Sequence, residues 1–214
     1  MQLFIGLTFR QNHLQFKKID SFRKRFDGKY NRSHILQMTL MPPFKLEGNT
    51  TDGLHQFFEE VIEDVDSQLL GMEHSLSVDF NGFDFITGRK GILFLKPTIP
   101  IDIFHCQESL KESIKSFGGT FSKTKNLAKS FSNDLQTFLP IGRFTDMGLL
   151  SLAVDKARIE FSHPFKLVAR DIVLFEKTPV QWLPLKILHR FPLEETKHVI
   201  VDNDFSMTKS PVNL

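Results

Sequence analysis

Two short segments of the chain hold polar side chains that could contact a charged ligand. The first is Gln37-Met38-Thr39, inside an otherwise apolar stretch, and the second is Gly142-Arg143, about 100 residues further along the chain. Every second side chain of a strand points the same way, so Gln37 and Thr39 would share one face. Amide and hydroxyl groups can hydrogen-bond a phosphate oxygen, and an arginine adds a positive charge. Groups of these types could contact an anion if the fold brings the two segments together.

Apolar periodicity predicts the helices and strands that must position these segments. Helices are predicted at 13–27, 51–70 and 101–117 and after the capping pair Thr145-Asp146, and the stretch 122–133 is either a short helix or a loop. Strands are predicted at 1–9, 34–41, 74–85, 91–96, 137–144, 165–176 and 180–191.

Prolines and glycines mark where these elements should end. Pro42-Pro43 is expected to end the strand at 34–41, and Pro140 to break the strand at 137–144, because proline cannot donate a backbone hydrogen bond to a sheet. Gly118-Gly119 is expected to end the helix at 101–117. Lys177-Thr178-Pro179 is expected to connect the last two strands as a hairpin.

The alternation of helices and strands predicts an α+β fold with mixed or antiparallel sheets. The chain has two similar halves, each a strand-helix-strand-helix run followed by strand pairs, and no Ser/Gly-rich linker separates them. We therefore expect a single domain over 1–192, with two similar, pseudo-symmetric lobes and flanking helices. Residues 193–214 are polar and rich in turn formers, which predicts a mobile C-terminal extension.

The composition excludes several classes of protein. The chain has 214 residues, a formal net charge of +2 and 41% hydrophobic residues, which is ordinary for a globular protein. Its single cysteine, Cys106, excludes an intramolecular disulfide and any multi-cysteine metal site. No run of 18 apolar residues exists, so we expect no membrane partner, and no sequence pattern indicates a cofactor. The first residues read as a strand and not as a signal peptide, which favours a cytoplasmic location.

Charge is distributed unevenly along the chain. Residues 1–32 hold eight Lys/Arg and two Asp, a local net charge of +6, whereas residues 47–66 hold seven Asp/Glu and no Lys/Arg. The basic residues of the first helix are Lys17, Lys18, Arg23, Lys24 and Arg25. Such a helix face either contacts a phosphate backbone or is a solvated outer face that pairs with acidic groups. The sequence leaves both interpretations open.

The segment from Gln37 to Phe44 resembles one half of the signature of the 2H phosphoesterase superfamily, which includes 2′-5′ RNA ligases and 2′,3′-cyclic phosphodiesterases. That signature is His-x-Thr/Ser within an apolar strand, often continued as Leu-x-x-Pro-Phe. A second segment, from Phe138 to Arg143, resembles the partner copy, His-x-Thr-x-Gly-Arg. Thr39 and the Gly-Arg pair fit, but Gln37 and Phe138 stand at the histidine positions and Pro140 at the second threonine position.

The resemblance implies a cleft in which two histidines exchange protons and the hydroxyls hold the phosphate, without a metal. Glutamine cannot exchange a proton at neutral pH, and phenylalanine and proline offer no suitable group. The resemblance therefore implies a catalytically degenerate relative that binds a nucleotide, an RNA end or another phosphorylated ligand. Gln37, Thr39 and Arg143 would supply polar contacts, and Phe138 an apolar or stacking surface.

Two other functions stay open at this point. An active phosphodiesterase or ligase could use a histidine outside the two segments, with His34, His163 and His189 as the candidates. Alternatively, the domain binds another protein and no small ligand. Arg143 could also pair with Asp146 in place of an anion, Thr39 could be a core residue, and Phe138 could serve packing alone. The sequence does not indicate the oligomeric state.

Overall fold

The structure is a computed structural model, and it describes residues 2–32, 35–46, 56–57, 59–61, 76–88, 90–121, 137–176 and 185–193. The strands are β1 (Leu3–Phe9), β2 (Gln37–Lys45), β3 (Ser77–Ile86), β4 (Gly91–Thr98), β5 (Thr120–Phe121), β6 (Leu139–Phe144), β7 (Phe165–Glu176) and β8 (Lys186–Pro192). The helices are α1 (Leu14–Phe26), α2 (Ile101–Ser116) and α3 (Met147–Glu160), with a short 3₁₀ turn at Tyr30–Arg32. Residues 56–57 and 59–61 are also helical.

The strands form one antiparallel sheet, and its longest strand, β7, pairs with three others. The order is β5-β2-β1-β7-β3-β4-β6, and β8 also pairs with β7. The second half of β7 pairs with β1 and β8, and its first four residues pair with β3. All described strand pairs are antiparallel, which confirms an α+β fold. The pseudo-symmetric lobes and the central cleft stay predictions.

The main core lies between one face of this sheet and the helices. β1 contributes Leu3, Ile5 and Leu7 to that core, and its opposite face carries Phe4. All seven residues of β1 are buried, because the strand lies between β2 and β7 and both of its faces are covered. This arrangement explains why its sequence is almost continuously apolar and not alternating.

Prolines do not end the strands as predicted. β2 continues through Pro42 and Pro43 to Lys45, because the two prolines lie opposite a single residue of β1, in a bulge between two paired positions. A bulge leaves residues unpaired, so the missing N–H groups cost no ladder hydrogen bond. Pro140 likewise lies within β6, next to a register shift in its pairing with β4.

The helix-end signals behave as the sequence predicted. Asp146 is the N-cap of α3, and its carboxylate accepts hydrogen bonds from the backbone N–H groups of Gly148 and Leu149. Gly118 follows α2 with a φ of 66°, a conformation that favours glycine. The N–H of Gly119 then donates to the carbonyl of Ile114 at 2.8 Å and closes the helix end.

Several predictions lie outside the described residues. They are most of the helix at 51–70, the stretch 122–133, the connection Lys177-Thr178-Pro179, and the extension beyond Leu193. Within the described part of the chain, no helix is long and apolar enough to cross a membrane.

Candidate functional site

The face of the sheet opposite the main core carries the polar residues of the first motif segment. Thr8 pairs with Gln37 across the β1–β2 ladder, and Gly6 pairs with Thr39. Cross-strand partners point to the same face, so Gln37, Thr39 and Thr8 lie together, as the alternation of the strand predicts. Met38, between the two polar residues, points into the main core.

The side chain of Gln37 folds down against β1. Gln37 is only 9% exposed, and a Cβ placed on Gly6 would meet its Oε1 at 3.4 Å. That Oε1 atom is buried and has no hydrogen-bond partner among the described residues. A buried acceptor left without a donor costs about 1–3 kcal/mol. Thr39 is half-buried, so the polar groups of this face lie at different depths.

A second set of polar residues, which the sequence analysis missed, lies on the same face. The Oγ1 of Thr8 donates to Oδ2 of Asp171 at 3.3 Å and to its carbonyl oxygen at 3.2 Å. Arg190 Nη1 donates to the same Oδ2 at 2.9 Å, and Arg170 Nε lies 3.5 Å from it. Together Thr8, Gln37, Thr39, Asp171 and Arg190 are called the polar face below.

A bulge in β7 brings Asp171 to this position. Leu7 pairs with Ile172 and Phe9 with Ala169, so that two residues of β7 lie opposite Thr8 alone. The sequence did contain a weak signal for both residues. Thr8 is the only hydroxyl residue in the apolar run of β1, and Asp171 is the only acidic residue in the interior of β7. A polar side chain on an interior strand needs a partner.

An aromatic cluster borders the polar face. Phe4 stacks on Phe175 with ring centroids 4.9 Å apart, and both pack with Val173. Ile35 and Ile187 lie against this small second core. The polar face therefore has an apolar side formed by β1, β7 and β8.

The second motif segment lies beside the first. Gln107 of α2 donates from Nε2 to the carbonyl of Leu40 in β2 at 2.9 Å and to Oγ1 of Thr137 at 2.8 Å. Phe138, directly before β6, is half-buried, and its ring centroid lies 5.0 Å from that of Phe94. Pro140 is half-buried as well. Helix α2 thus joins the two segments that the sequence singled out.

Arg143 of β6 is held by the carboxylate of Asp27, at the end of α1. Its Nη1 lies 3.3 Å from Oδ2 of Asp27, and its backbone N–H donates to Oδ1 of the same carboxylate at 3.1 Å. Asp146, the partner considered from the sequence, instead caps α3. The arginine therefore fastens β6 to the end of α1, and its side chain remains 27% exposed.

The basic face of α1 is smaller than the sequence predicted. Arg23 is 1% exposed and lies 3.6 Å from Asp27, so it belongs to the interior. Burial lowers the pKa of Arg23, and the neighbouring carboxylate of Asp27 partly offsets that effect. The exposed cations Lys24 and Arg25 pair with Asp20 and Glu160 at 3.5 and 2.7 Å. Contact of this helix with nucleic acid stays a prediction.

The histidines that the structure describes lie on separate elements. His163 is exposed in the turn before β7. His189 pairs with Leu174 and therefore lies on the core side of β8, with its ring 4.6 Å from that of Phe191. His34 lies outside the described residues. Neither described candidate shares the face of Gln37 and Thr39.

No protein-family model matches the chain, and no curated protein matches it in sequence. Within the described ranges, no group of three or more His, Cys, Asp or Glu side chains could hold a metal ion. The candidate site is therefore defined by its own geometry, which combines the buried amide of Gln37 and the buried carboxylate of Asp171 with hydroxyls and the partly exposed guanidinium of Arg190 on one sheet face.

Proposed function

We propose that this protein is a catalytically degenerate relative of the 2H phosphoesterases that binds a nucleotide, an RNA end or another phosphorylated ligand on its polar face. The observation that carries the proposal is the common orientation of Gln37 and Thr39. Both point away from the main core, beside Thr8 and Asp171. Packing alone does not account for a buried amide oxygen, Gln37 Oε1, that has no donor among the described residues.

The proposal of degenerate chemistry follows from the residue types at the motif positions. Gln37 can donate or accept a hydrogen bond but cannot exchange a proton near neutral pH. Phe138 packs on Phe94, and Pro140 has neither a hydroxyl nor an N–H. Each missing general acid or base typically lowers a rate by about 10²- to 10⁴-fold.

The remaining groups fit a binding role. The half-buried hydroxyl of Thr39 can hydrogen-bond a phosphate oxygen. Phe138 is half-buried against Phe94, and the remaining exposed part of its ring could stack on a base. Arg143, although held by Asp27, has a side chain that is 27% exposed.

The test combines turnover and binding. Purified protein is incubated with 2′,3′-cyclic nucleotides and with a short RNA that ends in a cyclic phosphate. We expect no turnover above the blank and saturable binding of a nucleotide. Thr39→Ala should weaken that binding by about 2- to 10-fold, because one hydrogen bond is lost.

The matched control is Thr98→Ala, which removes an exposed hydroxyl at the end of β4. Its affinity should equal that of the native protein. Turnover that disappears in Thr39→Ala would contradict the degenerate assignment and favour an active enzyme. Absence of nucleotide binding by the native protein would contradict the binding role.

A further inference from the structure

Arg190 is the cation of the polar face that is free to meet a ligand. Among the described residues, the only hydrogen bond of its guanidinium goes from Nη1 to Asp171, and its side chain is 44% exposed. A guanidinium has five N–H donors, so several remain directed at solvent. Asp171 holds this group in place and is itself only 8% exposed.

Arg143 is less available than Arg190 for binding a ligand. The carboxylate of Asp27 takes both its backbone N–H and its Nη1, and this contact anchors β6 to α1. Moving Arg143 toward a ligand would expose a fully buried carboxylate that also faces Arg23. Arg190 can turn toward a ligand at lower cost, because Thr8 and Arg170 still face Asp171.

Gln37, on the same face, offers a hydrogen-bond acceptor, whereas Arg190 offers donors. Its buried Oε1 has no donor among the described residues, so it accepts a hydrogen bond from whatever fills the space beside it. Thr8 pairs with Gln37 across the ladder, and directly opposed residues lie about 4.5–5.5 Å apart. An acceptor without a donor among the described residues and a partly exposed cation therefore flank Thr8 on its two sides.

We infer that Arg190 binds the phosphate of the ligand and that Gln37 Oε1 accepts a hydrogen bond from a neighbouring ligand hydroxyl. This inference rests on the proposed function and specifies its ligand class, which is a phosphate monoester with a free hydroxyl on the adjacent carbon. A cyclic phosphate diester carries only one negative charge and has no hydroxyl at that place. The polar face thus prefers the opened monoester to the cyclic form.

The experiment measures binding of three probes by titration calorimetry with the full chain. The probes are adenosine 3′-monophosphate, adenosine 2′,3′-cyclic monophosphate and adenosine. The native protein should bind the monophosphate most tightly. Arg190→Gln should weaken binding of the monophosphate by about 10- to 100-fold, because a hydrogen bond to a charged group is lost, and should leave adenosine unaffected.

Gln37→Met tests the second contact and keeps the side-chain volume. It should weaken binding of the monophosphate by about 2- to 10-fold and leave the cyclic diester unchanged. Arg158→Gln is the matched control, because Arg158 also forms an exposed ion pair with an aspartate, at 3.1 Å on α3. Its affinities for all three probes should equal those of the native protein.

The outcomes separate this inference from the proposed function. Tight monophosphate binding that Arg190→Gln does not change would overturn the role of Arg190 and leave the proposed function standing. Tighter binding of the cyclic diester than of the monophosphate would overturn the ligand class. If no probe binds to the native protein, the proposed function itself fails. Thermal unfolding of each variant shows whether a lost affinity reflects a lost fold.

Discussion

Two aspartates in this protein each hold two arginines, and their surroundings give them different tasks. Asp27, at the end of α1, is fully buried and faces Arg23, at 2% side-chain exposure, and Arg143. Asp171, on β7, faces Arg190 and Arg170, which are 44% and 55% exposed. Asp27, Arg23 and Arg143 therefore form a buried cluster that fastens α1 to β6, called the buried joint below. Asp171, Arg190 and Arg170 form a surface that can receive a ligand.

The difference follows from desolvation. Removing a partner from a buried ion pair leaves an uncompensated charge in the interior, which is strongly unfavourable. An exposed arginine can exchange its carboxylate for another anion or for water at little cost. Burial, and not the pairing itself, decides which arginines are available for binding.

The largest effect is expected at the buried joint. Asp27→Ala should lower the free energy of unfolding by about 3–5 kcal/mol, because the buried Arg23 would lose the carboxylate 3.6 Å away. The backbone N–H groups of Arg143 and Lys29 would also lose their acceptor. Urea unfolding measures this change, and Asp27→Asn, which keeps an acceptor, should lose less. If Asp27→Ala were as stable as the native protein, the joint would have no structural role.

Gln37→Met should act in the opposite direction on stability. Oε1 of Gln37 is a buried acceptor without a donor among the described residues, and replacing this side chain by an apolar one of similar volume removes a cost of about 1–3 kcal/mol. We expect the free energy of unfolding to rise by about 1 kcal/mol while ligand affinity falls. Urea unfolding, with and without adenosine 3′-monophosphate, measures both quantities. A loss of stability in this variant would show that Oε1 has a partner in the folded protein.

The exposed pair on the polar face should contribute little to stability. Arg190→Gln should change the free energy of unfolding by about 1 kcal/mol or less, since ion pairs with an exposed partner are weak. The comparison with Asp27→Ala, in the same urea experiment, tests the contrast between the two aspartates directly. A loss as large as that of Asp27→Ala would mean that the two sites do not differ in kind.

A pH titration tests the hydrogen bond between Tyr30 and Asp20, next to Asp27. Burial raises the pKa of Tyr30 above its ordinary value of 10.0, and its hydroxyl donates to Asp20 at 3.0 Å, which raises the pKa further. A raised pKa in the folded state means that this contribution to stability is present below pH 10 and is lost as the pH rises through the folded pKa. Stability should therefore decline above about pH 10.

Tyr30 is the only tyrosine of the chain, so ultraviolet absorbance of the phenolate reports its titration directly. Tyr30→Phe should remove this part of the alkaline decline in stability. Lys24, which faces Tyr30 and Asp20, also has a raised pKa, so a smaller decline should remain. A phenolate titration at the ordinary value would contradict the contact with Asp20.

Local signals predicted most of the elements. Strand β7 was predicted at 165–176, as observed, and α1 and α2 lie within one residue of their predicted bounds. The alternation of apolar residues, the capping carboxylate of Asp146 and the glycine at 118 are all encoded within a few residues of chain. The shared face of Gln37 and Thr39 follows from the same alternation.

Local signals failed where a distant strand decides the outcome. Pro42-Pro43 predicted the end of a strand, but the bulge opposite β1 accommodates both residues. Arg23 was assigned to the outer face of α1, but it is buried 3.6 Å from Asp27, which Arg143 of β6 also contacts. The strand opposite the prolines lies outside the window in which periodicity is read, whereas Asp27 follows Arg23 by only four residues and apolar periodicity does not report such a pair.

The sequence by itself therefore determined most of the described elements, their order and the face on which the first motif segment lies. Only the tertiary structure decided which aspartate meets which arginine and which polar groups accompany Gln37. Thr8 and Asp171 are 163 positions apart, and a bulge in β7 brings them within hydrogen-bond distance. Cross-strand register depends on contacts between remote parts of the chain, and the composition of one strand does not specify its partners.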